Sequence, residues 1–382
     1  GGNYNTVVGD EAGTAITTGD QNTGIGYEAL NDTTTGGNNT SVGSISLAAN
    51  TTGHSNVAVG QAALTVSTTG TYNTAVGKSA GEQVSTGVQN TLIGGLAGDA
   101  ITTASYNTAV GYDSLSSATT GAANTAVGRT SLQYTTTGAN NTALGYGALA
   151  DNTTASNNTA VGYTALLRNT TGSANTASGY GALNDNTTGG SNVAIGHEAM
   201  QNNTTASFNV AVGVDALYTN TTGTRNSALG TSALAANTTG NYNTSIGYQA
   251  LDANTTGTHN TAVGDTALTQ ATTASHNTAV GQGTLFANTT GLNNTTLGYQ
   301  AGSLTTTGHQ NTLLGAGAQA SAVGVSNEIV LGYNAVGNGA VTVTFGIGSG
   351  TETYIGMGNT SWVGSSDERL KENITASTAG LS

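Results

Sequence analysis

A 17-residue period runs through almost the whole chain and constrains its fold more than any other feature. Asn recurs at every seventeenth position from Asn5 to Asn311, which gives nineteen copies without an insertion or a deletion. We call each of these residues an anchor and number the other positions of its unit from it. Gly occupies anchor+4 in all nineteen units. A fixed period of this length indicates one structural unit stacked on copies of itself.

Each unit is too short for a pair of helices and fits one coil of a β-solenoid. Anchor+3 is Val, Ile or Leu except at Ser178, and anchor+8 is usually Leu, so these two positions are predicted to form the core. Thr-Ala-Val before the Gly alternates like a short strand, with Thr and Val on one face and Ala on the other. Thr-Thr-Gly at anchor+12 to anchor+14 is typical of a turn in which Gly takes a positive φ. The sequence therefore predicts an all-β protein, a parallel β-solenoid of about nineteen 17-residue coils, each reading strand, turn, strand, turn.

Composition excludes several classes of function. The 382 residues carry a formal net charge of −13 with only six Lys and Arg, so no nucleic acid partner is expected. No apolar run approaches the roughly 18 residues of a membrane span, so no membrane insertion is expected. Cys is absent, which excludes disulfides and zinc–thiolate sites. The five His and the acidic residues are dispersed over separate coils, so we expect no metal site, no cofactor and no catalytic site within the repeats.

Two variable columns are informative about the surface. Anchor+5 holds Tyr112, Tyr146, Tyr163 and Tyr180 but elsewhere Lys, Arg, His, Asp or Gln, which indicates a position that faces solvent. Such tyrosines form either a binding strip for sugars or, as we prefer, an aromatic ladder that stabilises adjacent coils. Anchor+11 is Asn in nine coils, each within an Asn-Thr-Thr sequon. Because adjacent coils lie only about 4.8 Å apart, which leaves little room for a glycan on each of them, an Asn ladder in the turn is preferred to glycosylation.

The anchor+2 column bears on assembly. Ala predominates there, as at Ala109, Ala160 and Ala211, and predicts a smooth face of small residues for a second chain. Lateral association of identical chains is therefore expected.

One segment carries a resemblance to a known family. Ser191-Asn192-Val193-Ala194-Ile195-Gly196 resembles the repeat of the head domains of trimeric autotransporter adhesins. The resemblance implies a left-handed β-roll in a tight homotrimer. It covers residues 5 to about 327, although the period here is longer and most coils carry Thr where that family has its first Val.

The sequence changes character after Asn311, and we divide the chain accordingly. Residues 1–327 form the predicted β-roll shaft, residues 328–364 a β transition without the period, and residues 365–382 the start of another module. Ser366-Asp367-Glu368-Arg369-Leu370-Lys371-Glu372-Asn373-Ile374 closely resembles the opening of the endosialidase-type intramolecular chaperone of phage tail spikes and fibres.

The chaperone resemblance implies a self-cleavage step. By that resemblance Ser366 is the nucleophile, Lys371 is its base, and the cut falls before Asp367. We expect most of the chaperone to lie beyond Ser382 and the native chain to begin before Gly1, so this chain itself is not expected to cleave.

These features predict a structural and receptor-binding protein rather than an enzyme. The preferred interpretation is a homotrimeric viral tail fibre, located on the virion or at the cell surface, that binds a cell-surface glycan or protein receptor. A bacterial trimeric surface adhesin is the alternative. An ice-binding solenoid is a remote third, because Thr-Thr recurs at anchor+12 and anchor+13 through eighteen coils with one exception at Ser85.

Overall fold

The computed structural model describes residues 2–348 and the backbone of two further strands, 353–356 and 363–364. The chain divides into two compact units, Gly1–Asn241 and Tyr242–Ser382. The strands of the first unit are β1 Thr6–Val8, β2 Thr23–Ile25, β3 Thr40–Val42, β4 Val57–Val59, β5 Thr74–Val76, β6 Thr91–Ile93, β7 Thr108–Val110, β8 Thr125–Val127, β9 Thr142–Leu144, β10 Thr159–Val161, β11 Thr176–Ser178, β12 Val193–Ile195, β13 Val210–Val212 and β14 Ser227–Leu229.

The second unit continues the same pattern and then departs from it. Its strands are β15 Thr244–Ile246, β16 Thr261–Val263, β17 Thr278–Val280, β18 Thr295–Leu297, β19 Thr312–Leu314, β20 Glu328–Leu331, β21 Thr342–Phe345, β22 Thr353–Gly356 and β23 Val363–Gly364. Strands β15 to β21 pair in parallel, whereas β22 and β23 are antiparallel additions. Within the described ranges no helix is long and apolar enough to cross a membrane.

Register follows the 17-residue period. In the first unit Thr142 pairs with Thr159 and Ala143 with Ala160, and strands β10 to β14 repeat the same offset of 17 residues. The described part of the chain is thus an all-β parallel β-solenoid, as the sequence predicts. One coil contains one three-residue strand, and the remainder is a series of turns. The prediction of a second strand in each coil is therefore wrong.

In every coil from that of Asn5 to that of Asn294, the turns place left-handed backbone at anchor+6, anchor+8 and anchor+16. In one coil these are Thr164, Leu166 and Ala174, with φ of 50°, 53° and 60°. Residues with this φ cannot continue a strand. The Leu at anchor+8, which was predicted as a core residue, consequently points into the coil from a turn.

The strand face that lines the core is the one with the anchor+2 residues, whereas the sequence predicts the face with the anchor+3 residues. Ala160 at anchor+2 and Leu166 at anchor+8 are fully buried, whereas Leu144 at anchor+3 is 47% exposed. A Cβ placed on Gly24 at anchor+2 would lie 3.2 Å from Leu30 Cδ1, so these two positions touch inside one coil. Because a 17-residue coil is narrow, the Leu at anchor+8 leaves room at anchor+2 for little more than the methyl group of Ala. The predicted alternation is right, but the Ala column is interior and offers no face to a second chain.

The Gly at anchor+4 has the strictest backbone requirement. Gly162 has a φ of 137°, and a Cβ there would lie 2.4 Å from the carbonyl oxygen of Gly179 in the next coil. An L-residue with a side chain adopts neither that φ nor that approach. The invariance of this position thus follows from the close stacking of coils.

Asn side chains form two internal ladders, one at the anchor and one at anchor+11 in the coils that carry Asn there. Asn158 Nδ2 and Asn169 Nδ2 both donate to the carbonyl oxygen of Gly172, at 3.0 and 2.9 Å. These amides shape the turn, and Gly172 does not have the positive φ predicted for it. Asn169 is also fully buried and accepts a bond from Asn186 Nδ2 at 2.8 Å. The Asn ladder predicted at anchor+11 is confirmed, and its amides are out of reach of a glycosylating enzyme in the folded coil.

The solenoid continues past the point at which the Asn period stops. Glu328 occupies the next anchor position, and its N–H donates to Asn311 Oδ1 at 3.0 Å. Its buried carboxylate accepts the N–H groups of Ser321 and Gly339, at 2.8 and 2.7 Å. The coil count is therefore about twenty rather than nineteen, with β20 as the additional strand. The ladder crosses the boundary expected between residues 327 and 328.

Candidate functional site

The anchor+5 column lies on the surface because it follows the Gly turn that ends each strand. Tyr112, Tyr146, Tyr163 and Tyr180 are each about half exposed. The four tyrosines are thus accessible, as predicted from the variability of this column.

Three of these tyrosines form one continuous stack. Tyr146 and Tyr163 have ring centroids 5.2 Å apart with planes at 12°, and Tyr163 and Tyr180 are 5.3 Å apart at 6°. His197 continues the stack 5.1 Å beyond Tyr180, and Arg129 Cζ lies 5.9 Å from the centre of the Tyr146 ring. We call these five residues the aromatic strip.

The strip confirms the predicted aromatic ladder and refines its membership. Tyr112 is one coil beyond Arg129, and no ring contact joins it to the stack among the described residues. Each stacked pair contributes roughly 0.5–1.5 kcal/mol beyond its buried area. The rings also hold one another in place, so the exposed edges and hydroxyl groups of the strip are arranged in advance of any contact with a ligand.

A second aromatic column at anchor+16 was missed. In the second unit Tyr242, His259 and His276 stack at 4.8 and 4.9 Å, and in the first unit Arg225 lies 5.8 Å from the Phe208 ring centre. The histidines were predicted to be dispersed because they are far apart along the chain. The signal was their 17-residue spacing, which places His259 and His276 in one column.

A cluster of one histidine and two acidic residues, which was not predicted, lies at the end of the aromatic strip. One ligand atom each from His197, Glu198 and Asp215 lies within 4.8 Å of the others. His197 Nδ1 is 3.9 Å from Glu198 Oε2. A search for motifs in a linear window finds no such group, because Asp215 follows Glu198 by one full repeat and enters only through the stacking of coils.

Acidic side chains elsewhere have perturbed pKa values. Partial burial raises the pKa of Asp99 from its ordinary 3.8 to about 6, with the charges of Asp113 and Glu82 adding to the effect. A hydrogen bond to Glu28, reinforced by the charge of that carboxylate, raises the pKa of Tyr27 to about 12.

The predicted self-cleavage residues cannot be placed. Ser366, Asp367 and Lys371 lie outside the described residues, so their roles stay predictions from the chaperone resemblance.

Comparisons with known proteins identify no relative of this chain from which a site could be inferred. No protein-family model matches the chain, and no curated protein matches it.

Proposed function

We propose that this chain is the shaft and the receptor-binding surface of a homotrimeric viral tail fibre that attaches to a cell-surface glycan. The observation that carries the proposal is the aromatic strip, in which Tyr146, Tyr163 and Tyr180 are stacked on consecutive coils and half exposed. Aromatic rings with a polar edge suit the mixed apolar and hydroxylated surface of a sugar. A strip fixed by stacking also loses little side-chain entropy on binding.

The outward aliphatic column supports association of identical chains. Anchor+3 residues such as Ile93, Leu144, Ile195 and Leu229 are 39–48% exposed on the outer face of the strands. A solvent-exposed row of aliphatic side chains is typical of a protein interface. Copies of this chain carry the same row at the same spacing, so a second and a third copy match it residue for residue. This column takes the place of the Ala column in the trimer hypothesis, and the left-handed β-roll remains part of that hypothesis through the adhesin resemblance.

The threonine columns favour this function over ice binding. Thr170 Oγ1 donates to the carbonyl oxygen of Thr187 in the next coil at 3.0 Å, so its hydroxyl is engaged within the solenoid. Thr171 is exposed. In this Thr-Thr pair the first hydroxyl group is bonded between coils and only the second residue is exposed. A single exposed threonine column is narrower than the two-column face that ice binding would use.

A glycan array with matched variants tests the binding proposal. The triple variant Tyr146→Ala, Tyr163→Ala and Tyr180→Ala should lose most of the glycan signal of the wild type. Tyr248→Ala is the matched control, because Tyr248 occupies the same position of its coil, is 51% exposed and has no stacked ring among the described residues. Full binding by the triple variant, or no glycan bound by the wild type, would reject the aromatic strip as the receptor site.

Assembly is tested separately by light scattering after size exclusion. The proposal predicts three times the 37.4 kDa mass of one chain. It also predicts a lower mass for the combined Leu144→Ser and Ile195→Ser variant, provided that far-UV circular dichroism shows both proteins folded. A monomeric wild type would contradict the trimer. The glycan array would then still test the binding part of the proposal separately.

A further inference from the structure

We propose that His197, Glu198 and Asp215 form a surface site for a divalent transition-metal cation such as Zn²⁺. This inference stands independently of the proposed function, because it rests on the ligand geometry of two adjacent coils in the first unit.

The backbone of the solenoid holds the three residues together. Glu198 and Asp215 occupy anchor+6 of consecutive coils, with φ of 53° and 55°, so their side chains leave equivalent turns in the same direction. Asp215 N–H donates to the carbonyl oxygen of His197 at 3.1 Å, and Glu198 N–H donates to that of Tyr180 at 2.8 Å. Both acidic residues are therefore fixed at the backbone by bonds between coils.

The imidazole is oriented by the aromatic strip. The His197 ring lies 5.1 Å from the Tyr180 ring with their planes at 9°. Metal-binding His residues in proteins are similarly held by groups that fix the ring plane. His197 thus presents Nδ1 towards Glu198, at 3.9 Å from Oε2, without an ordering cost on binding.

The charges of this group are not balanced by the protein. Among the described residues, the Asp215 carboxylate has no hydrogen bond or ion pair, and Glu198 has only the contact with His197. Two carboxylates at neighbouring positions repel each other. A divalent cation between them would remove that repulsion and supply the missing partner.

The ligand set selects the class of metal. One imidazole nitrogen and two carboxylate oxygens suit Zn²⁺ and similar ions, with water in the fourth position, whereas Ca²⁺ and Mg²⁺ prefer oxygen ligands alone. Ligands about 2.1 Å from a tetrahedral ion lie roughly 3.4 Å from one another. The three ligand atoms lie within 4.8 Å of one another, on one exposed and two half-buried side chains. Side-chain rotations that move these atoms by about an ångström would close the site around the ion.

A second place in the first unit offers a matched control. Glu11 and Glu28 occupy anchor+6 of consecutive coils, as Glu198 and Asp215 do, but Asp10 stands at anchor+5 in place of His197. This group has the carboxylates without the imidazole. It should bind Zn²⁺ much more weakly if the imidazole is essential.

Titration calorimetry with ZnCl₂ on the full chain without a histidine tag tests the site. We expect one Zn²⁺ per chain at neutral pH, and at least tenfold weaker binding by His197→Gln and by Asp215→Asn. Glu28→Gln and His259→Gln should bind as the wild type does, the latter because the stacked His259 and His276 are a separate group. Circular dichroism verifies that each variant is folded.

Three results would overturn the proposal. They are the absence of Zn²⁺ binding by the wild type, undiminished binding by both His197→Gln and Asp215→Asn, and loss of binding in Glu28→Gln or His259→Gln. Equal affinity for Ca²⁺ would likewise reject the transition-metal assignment.

Discussion

Replacing Leu92 and Gly98 in a double-mutant cycle should reveal how bulk is shared inside one coil. Leu92 at anchor+2 is fully buried where most coils have Ala, and Gly98 occupies anchor+8 where most coils have Leu. A Cβ at Gly98 would lie 2.7 Å from Leu92 Cδ2. The large side chain at one position thus occupies the space that the other position fills in most coils.

The magnitudes follow from this contact. Leu92→Ala should lower the free energy of unfolding by about 3 kcal/mol through the lost burial and the cavity. Gly98→Ala should cost about 2–3 kcal/mol, from the left-handed φ of 58° and from overpacking against Leu92. In the double variant the clash disappears and the new methyl group fills part of the cavity. The loss should therefore be smaller than the sum of the single losses by about 1–2 kcal/mol.

Urea unfolding followed by far-UV circular dichroism measures the cycle. The left-handed φ cost appears in both backgrounds and cancels from the coupling energy, which leaves the Leu92 contact. Leu149→Ala combined with Gly98→Ala is the control, since those residues are three coils apart and should be additive. Additivity of Leu92→Ala and Gly98→Ala within about 0.5 kcal/mol would refute the proposed packing.

Further predictions concern the strand faces, the partly buried carboxyl group of Asp99 and the Asn ladder. Ala160→Leu should destabilise by about 2 kcal/mol through overpacking, whereas Val161→Ser should cost less than about 1 kcal/mol, because Val161 faces outward and Ser occupies the same position in the next coil; equal losses in urea unfolding would contradict the assigned faces. Because the folded pKa of Asp99 lies near 6, above its ordinary 3.8, the folded state binds the extra proton and stability falls as pH rises between these values. At pH 8 Asp99→Asn should therefore raise the melting temperature and increase the free energy of unfolding by about 1 kcal/mol, a figure reduced for solvent screening of this half-exposed carboxyl group. The gain should vanish below pH 4, and a difference that does not depend on pH would contradict the assigned pKa shift. Asn175→Ala removes the bonds to Gly189 O and from the next anchor N–H, at 2.8 and 3.0 Å, and should cost about 2–4 kcal/mol in calorimetric melting, whereas a loss under 0.5 kcal/mol would be too small for two orphaned buried groups.

Periodicity allowed the register to be predicted but not which strand face lies inside. Spacing alone places Ala160 beside Ala143 and Tyr163 beside Tyr146, and the structure agrees. The choice between Val161 and Ala160 for the core was made on hydrophobicity, which favours Val. The interior volume of a 17-residue coil decides otherwise, since Leu166 already fills it.

The sequence did contain a signal of this volume limit. In the coil where anchor+8 is Gly98, larger side chains stand at other interior positions. Leu92 and Ile101 are fully buried there, and a Cβ on Gly98 would lie 2.7 and 2.8 Å from them. Ile101 occupies anchor+11 of this coil. In the coils that have Leu at anchor+8, the residue at anchor+11 is instead Asn, Ser, Thr or Ala. Such compensation between anchor+2, anchor+8 and anchor+11 indicates a shared interior.

The candidate sites were predicted only where one column carried one type of residue. The tyrosines of anchor+5 were found in this way. The group of His197, Glu198 and Asp215 draws on two columns and two coils, and no linear motif contains it. Glu328 was missed for a related reason, because an acidic residue fills the anchor position there and takes backbone N–H partners in place of the Asn amide contacts.

The central claim is that the stretch from one anchor to the next forms one interchangeable coil. It is tested most directly by comparing the melting temperatures of two deletion variants. Removing residues 158–174 takes out one whole coil and joins equivalent ends, so the variant should melt close to the wild type. Removing Val161 alone shifts the following residues of that coil between core and surface and should lower the melting temperature by several degrees. Equal melting temperatures for the two variants would contradict the stacked-coil account.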